Sequence, residues 1–220
     1  MDAAAAIAVT LLSTLVSCRA APPAAGAATA APTVRGVPVP RLELPAGAAV
    51  LMVVDRSGSM QGPKLEAARA AMTAALDTMP DGAPFGVLAF DSATTEPVVL
   101  AAIGDRTAAR AAITRIEAGG GTDLVAAMRD AHARLRGAPG PIRHIVLLSD
   151  GESAYDGVEE LVAAMRADGI TVSAVAIGDA DLRLLRMIAD GTGGRLHANV
   201  SLDALPAIYV REVEVALAER

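Results

Sequence analysis

The chain has 220 residues and a mass of 22.2 kDa, enough for one ordinary domain with a tail and enough to bury a proper core. Hydrophobic residues make up 53% of it, which excludes a disordered chain, while aromatics at 2% and the absence of Trp leave few rings to stack on bases or sugars. Nineteen basic against twenty-five acidic side chains give a formal charge of −6, which repels a phosphate backbone and argues against nucleic acid as a partner.

At the amino terminus, Ala3 to Ser17 form an apolar run of Ala, Ile, Val and Leu with a few Ser and Thr. It is too short to span a bilayer and suits the core of a signal peptide. The run ends Leu15-Val16-Ser17-Cys18, which resembles a bacterial lipobox, so residues 1–18 are expected to be a lipoprotein signal peptide with Cys18 as the lipidation site. Asp2 stands where such signals carry Lys or Arg; the alternatives are an Ala-rich leader or a misplaced start. Cys18 is the single cysteine, which excludes an intrachain disulfide and a multi-cysteine zinc site. Residues 19–40 are mostly Ala, Pro, Gly and Thr with two arginines and no acid, a composition that reads as a linker. The folded domain is expected over 41–220, with no internal repeat.

Short β-branched runs then alternate with longer helical ones, the pattern of an α/β fold around a mainly parallel sheet. Ala48 to Val54 is apolar without alternation, as a strand buried on both faces should be. Pro63 opens a helix with Leu65, Ala68, Met72 and Leu76 at helical spacing, and Pro80-Asp81-Gly82 closes it. Phe85 to Phe90 and Glu96 to Ala101 are strands too close together for a crossover helix, which predicts an antiparallel hairpin. A helix over Arg106 to Ile116 leads to Gly119-Gly120-Gly121, and another begins at Thr122 with Leu124, Met128, Ala131 and Leu135 on one face. Ile142 to Ser149 is a buried strand; Val158, Leu161, Val162 and Met165 mark a helix that stops before Gly169; Ile170 to Ile177 is a strand. Leu182, Leu185 and Ile188 mark a helix stopped by Gly191, and Arg195 to Ala198 is a short last strand. The final helix, from Leu202, is expected to turn Leu205, Ile208, Tyr209, Val213 and Leu217 inward. The sum is six strands with helices on both faces.

In open sheets of this kind ligands bind beyond the carboxyl ends of the strands, so the residues directly after each strand carry the information. Three places stand out: Asp55-Arg56-Ser57-Gly58-Ser59 after the first strand, Thr122-Asp123 after the glycine run, and Ser149-Asp150-Gly151 after the fourth strand. Two carboxylates and three hydroxyls, with no imidazole or thiolate, suit a hard divalent cation such as Mg²⁺ or Mn²⁺. Hydroxyls are neutral ligands, so such an ion stays electrophilic and accepts a carboxylate from outside. Thr122 is also a candidate N-cap, and Asp123 is expected to compensate the helix dipole in the first turn. No P-loop Lys-Ser/Thr follows the glycine run and no G-x-G-x-x-G follows the first strand, which argues against a nucleotide site. His132, His144 and His197 are expected to be packing positions, and the eight methionines core fillers.

These three segments together resemble the von Willebrand factor type A domain with its metal-ion-dependent adhesion site, over about Leu42 to the C-terminus. The resemblance implies that Asp55, Ser57, Ser59, Thr122 and Asp150 are the metal-coordinating positions, all five present. It implies a Rossmann-like open twisted sheet, mostly parallel with one antiparallel edge strand, and a last helix that shifts when the site is occupied. It further implies a non-catalytic module of the bacterial exported or membrane-associated type, placed in the cell envelope. Such a module captures a Glu or Asp of a protein partner at the metal and meets a membrane only through an N-terminal lipid or signal anchor. Two rival readings stand beside it. One is a metal-dependent hydrolase, disfavoured because Arg56 is the only basic residue in the three loops. The other is an intracellular assembly subunit working with an ATPase, which a cleaved export signal would argue against.

Overall fold

The computed structural model describes residues 48–218; the signal peptide, the lipidation at Cys18 and the linker expected from the sequence lie outside them. The first strand, β1 (Ala48–Asp55), is buried along its whole length, because both faces of the sheet are covered and its apolar run leaves no side for water. It pairs in parallel with β2 (Pro84–Phe90) on one side and β4 (Ile142–Ser149) on the other. Strand β3 (Thr94–Ala102) returns antiparallel to β2, as the short link requires, and forms one edge. Strands β5 (Ile170–Ala176) and β6 (Leu196–His197) extend the sheet in parallel, giving the order β3-β2-β1-β4-β5-β6.

Successive residues of β1 alternate between two cores. Leu51 and Val53 pack with helices α3 (Leu124–Arg136), α4 (Val158–Ala167) and α5 (Leu182–Thr192), and Val50, Met52 and Val54 pack with α1 (Pro63–Thr78), α2 (Arg106–Thr114) and α6 (Leu205–Ala218). Each fully buried aliphatic side chain of this kind stabilises the fold by about 1.5–3 kcal/mol. The sheet therefore holds the carboxyl ends of β1 and β4 side by side in a rigid frame, and the loops that follow start from fixed points.

Several boundaries differ from the sequence expectation, each for a local reason. Helix α2 ends at Thr114 rather than Ile116, and its start is fixed by the Asp105 carboxylate, which accepts from Thr107 N at 2.8 Å and Ala108 N at 3.1 Å. Helix α3 starts at Leu124, not Thr122. Its N-cap is Asp123, which accepts from Ala126 N at 3.0 Å and so does more than compensate the dipole; Thr122 is left outside the helix. Helix α5 runs through Gly191 and ends under Gly193, whose φ of +83° makes it the cap. Gly191 is small for a different reason: a Cβ there would stand 2.3 Å from Val162 Cγ1, so its absence lets α5 close on α4. A 3₁₀ turn (Leu202–Ala204) precedes α6.

Helix α6 also buries a charge that the apolar stripe did not announce. Glu212 is fully buried, and its carboxylate accepts from Arg195 Nε and Nη2 at 3.0 Å each, with His197 Nε2 at 2.7 Å. His144 Nε2 lies 3.7 Å away. Burial alone would raise the Glu212 pKa, but His144, His197, Arg195 and Ser173 together hold it far below the ordinary carboxylate value. The last helix is thereby tied to β4, β5 and the segment carrying β6.

Candidate metal centre

The site is built where β1 and β4 end. Asp55 closes β1 and turns its carboxylate back into the loop: Oδ1 accepts from the Ser57 backbone N–H at 2.8 Å, and Oδ2 accepts from the Ser149 hydroxyl at 2.8 Å. The chain then makes a 3₁₀ turn (Gly58–Met60) that carries Ser59 around to Ser57, their hydroxyls 3.0 Å apart. Ser59 Oγ donates to Asp150 Oδ1 at 2.7 Å, joining the loop after β1 to the residue after β4. Four of the five expected ligands thus form one hydrogen-bonded run, Asp55 through the Ser57 backbone N–H and Ser57, Ser59 and Asp150 through their side-chain oxygens.

Thr122, the fifth, is brought in by the glycine loop. Gly119 N–H donates to Arg56 O at 2.8 Å and Gly58 N–H donates to Gly120 O at 3.1 Å, which zips that loop onto the loop after β1. Gly120 supplies the φ of +76° that the turn needs. Thr122 Oγ1 then lies 3.6 Å from where a Cβ on Gly151 would stand, beside Asp150. The loop after β2, which sequence reading left unused, completes the rim: Asp91 O accepts from Asp123 N–H at 2.8 Å, and the Asp91 carboxylate pairs with Arg56 Nη2 at 2.8 Å.

Asp55 and Asp150 are buried, at 0% and 3% exposure, whereas Ser59 is exposed and Thr122 half-buried, so the oxygen cluster is open on one side only. Burial pushes the Asp55 carboxyl above its ordinary value; the nearby Asp150 adds to the shift, and hydrogen bonds from Ser57 and Ser149 offset it only in part. Of these two buried carboxylates only Asp150 meets a cation of the chain, Lys64, so the pair keeps a net negative charge that a metal ion would balance. All the donors are hard oxygens, and among the described residues no group of three or more His, Cys, Asp or Glu could hold a metal instead. The residues therefore fit a hard divalent ion, with the hydroxyls as necessary members of the set.

Two contributors escaped the sequence. In the sequence Ser149 is only a neighbour of Asp150, yet it is the hydroxyl that holds Asp55. Lys64, in the first turn of α1, reaches Asp150 Oδ2 with its Nζ at 2.5 Å. Arg56 is the only cation inside the three loops, but Lys64 enters from outside them. The three histidines are paired elsewhere: His132 Nε2 with Asp168 at 2.6 Å, His144 Nδ1 with Thr171 at 2.7 Å, and His197 with Glu212. A cavity of about 650 Å³ lies between the edge strand β3 and the carboxyl end of α3, around Pro84 and Pro139, and contains none of the site residues. No helix among the described residues is long and apolar enough to cross a membrane.

Residues 49–210 match the family model of the von Willebrand factor type A domain. An uncharacterised protein of Synechocystis sp. is 28% identical over 132 residues; the match takes in 58% of this chain and 31% of that relative, so this chain corresponds to a fraction of the relative's length. Among solved structures, a von Willebrand factor type A protein from Catenulispora acidiphila superimposes with a TM-score of 0.73 at 26% identity, covering 80% of this chain and 44% of that one. Proximal thread matrix protein 1 of the mussel byssus, solved with a zinc-occupied MIDAS motif, gives a TM-score of 0.67 at 22% identity, covering 78% and 46%.

Proposed function

The chain belongs to the von Willebrand factor type A domain family, and on that premise we propose that it is a non-catalytic, divalent-metal-dependent protein-binding module that captures a partner's Glu or Asp side chain. The observation that carries this reading is the oxygen cluster itself: two buried carboxylates linked through the Ser57 backbone N–H and the Ser57 and Ser59 hydroxyls, open to solvent on one side. Asp55, Ser57, Ser59, Thr122 and Asp150 would hold Mg²⁺ or Mn²⁺, which when bound supplies an electrophilic position for an external carboxylate. The zinc-bearing motif of the mussel protein supports a metal in this fold. The chain's own residues do the positioning. The sheet fixes Asp55, the 3₁₀ turn presents Ser57 and Ser59, and the Arg56–Asp91 pair holds the loops after β1 and β2 together.

A hydrolase is the weaker reading, because the cations nearest the site are already engaged, Arg56 with Asp91 and Lys64 with Asp150, and no histidine reaches it. Residues 1–18 act in this reading as an export signal that lipidates Cys18, residues 19–40 as a tether, and 41–220 as the module, which places it in the bacterial cell envelope. The intracellular, ATPase-linked alternative requires the leader to stay uncleaved.

Calorimetry tests the binding reading. A glutamate-containing peptide library titrated into the protein with Mn²⁺ present should yield binders. Their affinity should vanish in EDTA and in the Glu→Gln versions of the same peptides. Peptides that bind equally well in EDTA would sink it.

A further inference from the structure

Of the nineteen basic residues in the chain, eighteen are arginine and one is lysine. That single lysine is Lys64, and its ammonium lies against the buried carboxylate of Asp150 at 2.5 Å. The two oxygens of Asp150 are divided: Oδ1 accepts from Ser59 on the cluster side, while Oδ2 is taken by Lys64. The ammonium has a fitted berth. Gly178, in the turn after β5, packs against it: a Cβ there would stand 2.9 Å from Lys64 Nζ and 3.3 Å from its Cε and would crowd the ammonium. A compact ammonium suits this space, whereas the planar guanidinium that the chain uses everywhere else is broader.

Resting on the metal-binding reading above, we propose that Lys64 is the site's permanent counter-charge, holding Asp150 Oδ2 so that the ligand set carries one net negative charge rather than two. Among the ligands and the groups bonded to them, Asp55 and Asp150 bring two negative charges and Lys64 one positive; Arg56 is neutralised by Asp91, and the Asp123 carboxylate is bonded to the amino end of α3 and is not one of the ligands. A divalent cation among these ligands keeps one net positive charge for the partner's carboxylate. Lys64 therefore trades metal affinity for affinity toward the acidic partner, and the two should move in opposite directions when its charge is removed.

The test uses the Lys64→Met and Lys64→Gln variants of the full chain. Circular dichroism checks the fold, and calorimetry first measures Mn²⁺ alone and then, at saturating Mn²⁺, a glutamate-containing peptide that the wild type binds. The charge lost sits within a few ångströms of the ligand set, so Mn²⁺ should bind on the order of tenfold tighter and the peptide at least about fivefold more weakly. Unchanged affinities, or a loss of both together, would overturn the counter-charge role while leaving the metal reading standing. A wild-type protein that binds no Mn²⁺ would overturn the metal reading and this proposal with it.

Discussion

Replacing Asp55 with Asn is expected to lower Mn²⁺ affinity by at least about a hundredfold while leaving the protein as stable as, or more stable than, the wild type in EDTA. Both halves follow from the same burial. The carboxylate is held at the end of a strand paired on both sides, so little ordering entropy remains to be lost when it binds metal, and its removal takes away one of only two anionic ligands. Without a cation, however, its charge is a liability, since burial and Asp150 both push its pKa upward. Asn keeps a carbonyl oxygen for the Ser57 N–H and offers an amide to Ser149, whose hydroxyl also accepts. Paired thermal melts in EDTA and Mn²⁺ titrations decide it. A variant that melts well below the wild type, or one that keeps its Mn²⁺ affinity, contradicts this account of the residue.

Glu212→Ala is expected to cost about 3–5 kcal/mol at neutral pH, the largest stability loss we foresee for any single side chain outside the apolar core. The substitution leaves His144 buried and strips Arg195 and His197 of the carboxylate that both contact. The effect has a defined pH dependence. Glu212 stays ionised in the folded protein far below 4.5, where the unfolded chain protonates, so its contribution is fully present above that pH and drains away as the pH falls below it. Urea denaturation of wild type and variant at neutral and at acid pH should therefore show a gap that narrows in acid. A gap below about 1 kcal/mol at neutral pH would mean that solvation of Arg195 compensates for the lost pair.

Much of this molecule is legible in its sequence because its informative features are local. The continuous apolar runs of β1 and β4, the short link between Phe90 and the next strand, and the three segments that set Asp beside Ser or Thr each declare themselves within a few residues. The features that were missed depend on partners distant along the chain. Lys64 meets Asp150 across 86 positions, and nothing in a helix's first turn says where a lysine will point. Glu212 left a readable trace, since with Leu205, Tyr209 and Ala216 it lies on the inward face of a 3.6-residue period, and an acid there demands a partner. Its partners stand on β4, on β5 and around β6, where only the assembled sheet brings them together. The reading of Gly191 as a helix stop failed because glycine serves both chain termination and close packing, and Val162 decides which.

Paramagnetic broadening shows whether the rim formed by Asp55, Ser57, Ser59, Thr122 and Asp150 holds a divalent cation. When Mn²⁺ is added in substoichiometric amounts to ¹⁵N-labelled protein, the amide signals of Ser57 to Ser59, Gly121 to Asp123 and Asp150 to Gly151 should broaden first, while those of Ala48, Gly82 and Gly140 at the opposite end of the sheet remain sharp. Broadening centred on any other part of the domain, or none at all, would contradict it.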